Sequence, residues 1–125
     1  MYELTVDSKF AAAHRLKGYK GDCARIHGHT WGVSATVRAS RLDELGMCID
    51  FKEISGVLDD IVSRFDHQNL SDIEEFKRMN PTAENLGKLM FDLLSEKLNN
   101  DNVRVMTVTI AESDRYRVTY REDPD

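Results

Sequence analysis

Three of the four histidines in this 125-residue chain fall within sixteen positions: His14, then His27 and His29 with Gly28 between them. Imidazole is a preferred ligand of zinc. Side chains two apart on a strand share a face, so His27 and His29 can bring two ring nitrogens to one ion while Gly28 leaves room on the other side. His14, on the neighbouring strand of the same hairpin, would supply a third. Three imidazoles with no obvious fourth protein ligand form the pattern of a catalytic zinc site, whose open position takes water or substrate. A histidine pair one residue apart also arises by chance, and a lone histidine is usually a surface or hydrogen-bonded residue. It is the addition of His14 that favours a metal.

Cys23 lies four residues before His27. As a ligand it would close the site in the manner of structural zinc; as a thiolate beside a cation its pKa would fall, giving a base or nucleophile near neutral pH. Cys48, between Met47 and Ile49, reads as a buried thiol without a task. Asp66 and His67 stand together where a helical stripe gives way to polar residues. A carboxylate beside an imidazole sets its tautomer and tunes it for acid-base work, although such a pair is also read as a helix-terminal cation and a solvated acid. Glu112 shares its parity with Met106, Val108 and Ile110, so a carboxylate continues an apolar strand face and needs a partner. The partner is either a structural arginine such as Arg115 or a ligand offering two parallel N–H donors.

The elements that must position these groups follow from periodicity. Tyr2, Leu4 and Val6 alternate with polar residues, giving a first strand to about Phe10, and Lys17 to Asp22 reads as a loop. From His27 the odd positions His27, His29, Trp31, Val33, Ala35 and Val37 form one core-facing row. Asp50 with Glu53 has the form of a capping box ahead of a helical stripe from Phe51 to Phe65. Asn80, Pro81 and Thr82 open a second helix to Leu98, with Pro81 in its first turn and either Asn80 or Thr82 as cap. Strands follow at Val103 to Glu112 and from Tyr116 to Tyr120. The order ββααββ predicts an α+β fold, a four-stranded antiparallel sheet with both helices on one face. Its two edges invite pairing with other chains unless charge protects them.

Composition sets the remaining bounds. One domain over residues 1–125 suits the length. The 41% hydrophobic and 31% charged content is that of a globular protein, and no apolar run approaches a membrane span. The start Met1-Tyr2-Glu3 lacks the pattern of a secretory signal, and two cysteines are too few for a disulfide framework, so a cytoplasmic protein is expected. A net charge of -5 argues against general nucleic-acid binding.

Six runs, FAAAHRL from Phe10, CARIHGH from Cys23, IDF from Ile49, DHQNL from Asp66, PTAEN from Pro81 and AE at Ala111, occur in register with these elements. Together they resemble the family of 6-pyruvoyltetrahydropterin and 6-carboxytetrahydropterin synthases. The resemblance implies the tunnelling fold (T-fold), in which sheets join edge to edge into barrels and two trimers stack as a homohexamer with active sites at subunit interfaces. It implies Zn2+ on His14, His27 and His29, proton transfer by Cys23, Asp66 and His67, and Glu112 as the anchor of the pterin, with Thr82 and Glu84 near the same ring. The three residues between Cys23 and His27 resemble the carboxy synthase of queuosine precursor biosynthesis. The implied substrate is then 7,8-dihydroneopterin triphosphate, and the products are 6-carboxytetrahydropterin, acetaldehyde and triphosphate. The alternatives are a pyruvoyl-forming synthase that eliminates triphosphate, and a non-catalytic module with a closed zinc site.

Overall fold

The computed structural model of the protein describes residues 1–18 and 25–122. Cys23 lies outside the described residues.

Two long strands, β1 (Tyr2–His14) and β2 (His27–Ala39), pair antiparallel from Tyr2 opposite Ala39 to His14 opposite His27. The even residues of β1 and the odd residues of β2 are the more buried, as the period-two pattern predicts. β1 continues to His14, past the expected end near Phe10. Ala11 to Ala13 have little strand propensity of their own, but each faces a residue of β2 across the ladder, and that pairing carries the strand on.

Helix α1 (Phe51–Ser63) starts where expected, with the Asp50 carboxylate accepting the Lys52 amide at 2.8 Å. The Glu53 side chain makes no return bond to Asp50 among the described residues, so only half of the capping box forms. Helix α2 (Ala83–Leu98) is capped by Thr82, whose hydroxyl accepts the Asn85 amide at 3.1 Å. That decides between Asn80 and Thr82, and it corrects the placement of Pro81, which precedes the cap instead of sitting in the first turn.

Between the helices, β3 (Gln68–Asn69) lies parallel to β1 at Ala12 and Ala13. It is too short to leave a periodic signal. β4 (Arg104–Ala111) and the shorter β5 (Arg117–Tyr120) complete a five-stranded sheet in the order β3-β1-β2-β4-β5, where four antiparallel strands were expected. The β2–β4 ladder steps from Thr36 opposite Thr107 to Val37 opposite Val105, leaving Met106 as an extra residue. This bulge reverses the parity below it. Val105, not Met106, is the buried member of the row that continues through Val108 and Ile110.

α1 packs over β1 and α2 over β4 and β5, and their apolar stripes join the buried sheet residues in one core. Trp31, Val33, Ala35 and Val37 form the centre of its floor, with Leu58, Leu86, Met90 and Leu94 above. Burial of each such aliphatic or aromatic side chain contributes about 1.5–3 kcal/mol. The layer therefore fixes the β1–β2 register that places the histidines. Among the described residues no helix is long and apolar enough to cross a membrane.

Candidate metal centre and active site

His14 and His27 are direct cross-strand partners at the end of the β1–β2 ladder, and His29 lies opposite Ala12. All three belong to the core-facing rows, so the alternation that buries Trp31 also turns the three rings to one side. Ala12 is small and leaves the space opposite His29 to that ring. The ring centroids lie 4.5 Å apart for His14 and His27, 4.7 Å for His27 and His29, and 5.2 Å for His14 and His29. Beneath them Trp31 is wholly buried, edge-on to His14 at 5.0 Å and to His29 at 5.3 Å, with its indole N–H donated to the Ala12 carbonyl at 3.2 Å.

Hydrogen bonding sets the ring orientations. His14 Nδ1 lies 2.8 Å from the Pro81 carbonyl oxygen, and His27 Nδ1 lies 2.8 Å from that of Arg25. A carbonyl oxygen only accepts, so each Nδ1 carries a proton, and each ring in its neutral form presents a lone pair at Nε2. Those two Nε2 atoms face each other at 3.0 Å. Two lone pairs at that separation repel unless a cation stands between them. His29 Nε2 is buried and lacks a hydrogen-bond partner among the described residues; it lies 3.0 Å from Glu112 Oε1, a bonding distance without bonding geometry.

One donor atom from each of His14, His27, His29 and Glu112 lies within 4.8 Å of the others. An orphaned nitrogen and two opposed lone pairs are the donors of a divalent cation that prefers nitrogen ligands, and the three rings fit zinc, with the Glu112 carboxylate close enough to offset its charge. Burial lowers the pKa of His29 against the opposing effect of Glu112, which keeps the ring neutral and available as a ligand.

Glu112 follows the last residue of β4. Its amide donates to the Tyr116 carbonyl at 3.0 Å, closing the turn to β5, and its carboxylate reaches His29 and, at 3.7 Å, His14 Nε2. The suggested structural partner is not used: Arg115 lies over the Tyr116 ring at 5.5 Å. Gly28 has open space on its side of the strand, where an added Cβ would meet only the Ala12 carbonyl oxygen, at 4.0 Å. Among the described residues no close approach demands a glycine there.

Asp66 and His67 lie at the β1 edge, beyond the end of α1. The Asp66 carboxylate accepts the Ala11 amide at 2.9 Å and meets His67 Nδ1 at 3.1 Å, and His67 returns its own amide to the Ala11 carbonyl. These donors, the Ala11 amide foremost, hold the Asp66 carboxyl below the usual carboxylate range. The two adjacent side chains therefore do contact each other, which their sequence positions alone do not require. His67 has φ 59°, a left-handed backbone unusual for a residue with a side chain, and its ring is 82% exposed. The pair does not belong to the group of converging donors, and neither do Thr82 or the exposed Glu84. Thr82 is engaged as the α2 cap.

Sequence reasoning missed the carbonyls of Pro81 and Arg25. Two clefts of about 270 Å³ each also went unseen, one lined by Lys17, Lys77, Arg78 and Asn80, the other by Arg15, Lys17, Ile26, Ser71 and the acidic Asp72.

Residues 3–123 match the family described as 6-pyruvoyl tetrahydropterin synthase. A putative 6-carboxy-5,6,7,8-tetrahydropterin synthase of Archaeoglobus fulgidus is 35% identical over 101 residues, covering 80% of this chain and 83% of that protein. The 6-pyruvoyl tetrahydrobiopterin synthase of Dictyostelium discoideum is 28% identical, with 94% of each chain covered. Among solved structures, the 6-pyruvoyl tetrahydropterin synthase of Caenorhabditis elegans superposes with a TM-score of 0.86 at 28% identity, over 98% of this chain and 96% of that one. With the fold and the histidine cluster described above, these matches place the chain in the 6-pyruvoyl tetrahydropterin synthase family.

Proposed function

We propose that the protein is a zinc-dependent lyase that converts 7,8-dihydroneopterin triphosphate to 6-carboxy-5,6,7,8-tetrahydropterin, releasing acetaldehyde and triphosphate, in the cytoplasmic synthesis of the queuosine precursor. The observation that carries it is the convergence of His14, His27 and His29 with the Nδ1 atoms of His14 and His27 committed to carbonyl oxygens. The carboxy-synthase relatives and the three-residue spacing from Cys23 to His27 support the choice of reaction.

His14, His27 and His29 would hold the ion. Zinc, when bound, supplies a Lewis acid that acidifies hydroxyls of the pterin side chain and stabilises negative charge developing there. Glu112 anchors the ring, its two oxygens accepting a parallel pair of N–H donors, and so fixes carbon six within reach of the acid-base groups. His67, with Nδ1 directed at Asp66, keeps Nε2 outward to give or take a proton. Cys23, as thiolate, serves the other face of the pterin. Arg15, Lys17, Lys77 and Arg78 line clefts whose walls include Arg15, Ile26 and Asn80, the chain neighbours of His14, His27 and Pro81, and they suit the charge of the triphosphate. Thr82 and Glu84 stand at the start of α2 as further contacts to the ring. The sheet edges of β3 and β5 pair with other copies in a homohexamer of single-domain subunits, 1–125, with active sites at the interfaces.

Formation of 6-pyruvoyltetrahydropterin by triphosphate elimination is the second reading, favoured by the extent of the match to the nematode enzyme. Incubating zinc-loaded protein with dihydroneopterin triphosphate and identifying the products by mass separates the two. The carboxylated pterin with acetaldehyde is expected. A pyruvoyl product without acetaldehyde selects the second reading, and unconverted substrate with intact metal overturns both.

A further inference from the structure

We infer that Asn80 is a positioning residue of the metal centre, fixing the Pro81 carbonyl against His14; the inference rests on the metal reading of the histidine cluster. Asn80 brackets the backbone of Lys17: its Oδ1 accepts the Lys17 amide at 2.8 Å and its Nδ2 donates to the Lys17 carbonyl at 3.0 Å. A side-chain amide thus supplies the donor and acceptor that a neighbouring strand would supply. The next residue, Pro81, accepts from His14 Nδ1. The path His14 to Lys17, across to Asn80, on to Pro81 and back to the imidazole is a closed ring with bonds at both crossings.

The far side of this ring is tied to α2. The Asn80 carbonyl accepts Asn85 Nδ2 at 2.8 Å and the Thr82 amide at 2.9 Å, while the Thr82 hydroxyl caps the helix. Asn80 therefore links the chain that carries His14 to a helix packed on the core, and the Pro81 carbonyl cannot move without breaking that link. Loss of the bracket leaves these bonds to the Asn80 carbonyl in place but releases the chain that carries His14 at Lys17, so His14 Nδ1 is no longer held on the Pro81 carbonyl and its proton can reach Nε2, where it competes with the ion for the lone pair. Groups that orient a ligating imidazole in this way typically change metal affinity about 10–100-fold when removed.

A matched control lies at the other end of β2. Asn102 makes the same kind of bracket, accepting the Ser40 and Arg41 amides at 3.2 and 2.9 Å and donating to the Arg41 carbonyl at 3.0 Å. Three readouts apply to wild type, Asn80→Ala, Asn80→Asp and Asn102→Ala: zinc affinity by chelator competition, the ligand-field spectrum of the cobalt-loaded protein, and the protonation of His14 Nδ1 in metal-free protein by nitrogen NMR. Asn80→Asp keeps the acceptor for the Lys17 amide but sets a carboxylate against the Lys17 carbonyl, so it serves if the alanine variant fails to fold.

Both Asn80 variants are expected to lose about 10–100-fold in zinc affinity, with an altered cobalt spectrum and a mixed His14 tautomer. Asn102→Ala is expected to lower thermal stability and leave all three readouts at wild-type values. Wild-type affinity in the Asn80 variants, or an equal loss in Asn102→Ala, overturns the inference. Wild-type protein that takes up no zinc overturns the metal reading instead, and the tautomer measurement then still decides whether Asn80 positions His14.

Discussion

Removing the metal should cost this fold a measurable part of its stability; the site geometry gives the reason and mass action the size. Without a cation, His14 and His27 oppose lone pairs across 3.0 Å and His29 Nε2 stays buried without a partner among the described residues. A ligand that binds only the folded chain stabilises it by about 4.1 kcal/mol when present at about 1,000 times its dissociation constant. Unfolding entropy near about 2.1 cal/mol/K per residue makes 1 kcal/mol worth roughly 4 °C in a chain of this length. Zinc-loaded protein should therefore melt about 15 °C above the metal-free form in differential scanning calorimetry. His27→Ala should abolish most of the difference, because it removes one of the two opposed nitrogens. If chelation shifts the melting temperature by less than about 2 °C, or His27→Ala retains the full shift, the three rings are a hydrogen-bonded cluster and the reasoning from opposed lone pairs is refuted.

Metal-free protein should also lose stability as pH falls through the histidine range. The folded pKa of His29 lies below its ordinary 6.5, so the unfolded chain binds more protons in the window just below that value, and stability there rises with pH. His29→Gln should flatten the dependence in pH-resolved denaturant titrations; an unchanged slope would count against burial as the cause. Asp66→Asn should lower kcat by about 10²–10⁴-fold while zinc content stays at wild-type level, read by turnover and metal analysis, and wild-type turnover would remove the Asp66–His67 pair from the mechanism. Lys17→Ala and Arg78→Ala should each raise KM for the triphosphate substrate about 2–5-fold, with a smaller effect at high salt. Glu112→Gln should keep zinc but weaken pterin binding measured by equilibrium dialysis; loss of zinc instead would make Glu112 a metal ligand.

The histidine cluster was legible because β2 obeys a strict period of two from His27 to Ala39, so the parity that buries Trp31 and Val33 also turns His27 and His29 inward. His14 followed from the hairpin. What fixes the rings was not legible: the partners of His14 and His27 are backbone carbonyls, and any residue type can offer one. The Met106 bulge escaped because a one-residue excess shows only against the partner strand. β3 is set by its contact with β1 and has no periodicity of its own to read. Glu112 was rightly singled out as a carboxylate on a core-facing row, but its neighbours come from β1 and β2, far away in sequence, and the local cation Arg115 was the wrong partner. Asn80 looked like a helix cap because its residue type suits one; tertiary pairing with Lys17 took its side chain elsewhere.

The chain's single tryptophan lies edge-on to both His14 and His29. The protein therefore carries its own optical gauge: indole emission, unencumbered by any second fluorophore of its kind, reports on whatever occupies the neighbouring rings. A paramagnetic ion seated there quenches it at once, so filling and emptying can be followed in real time without a dye or an added label.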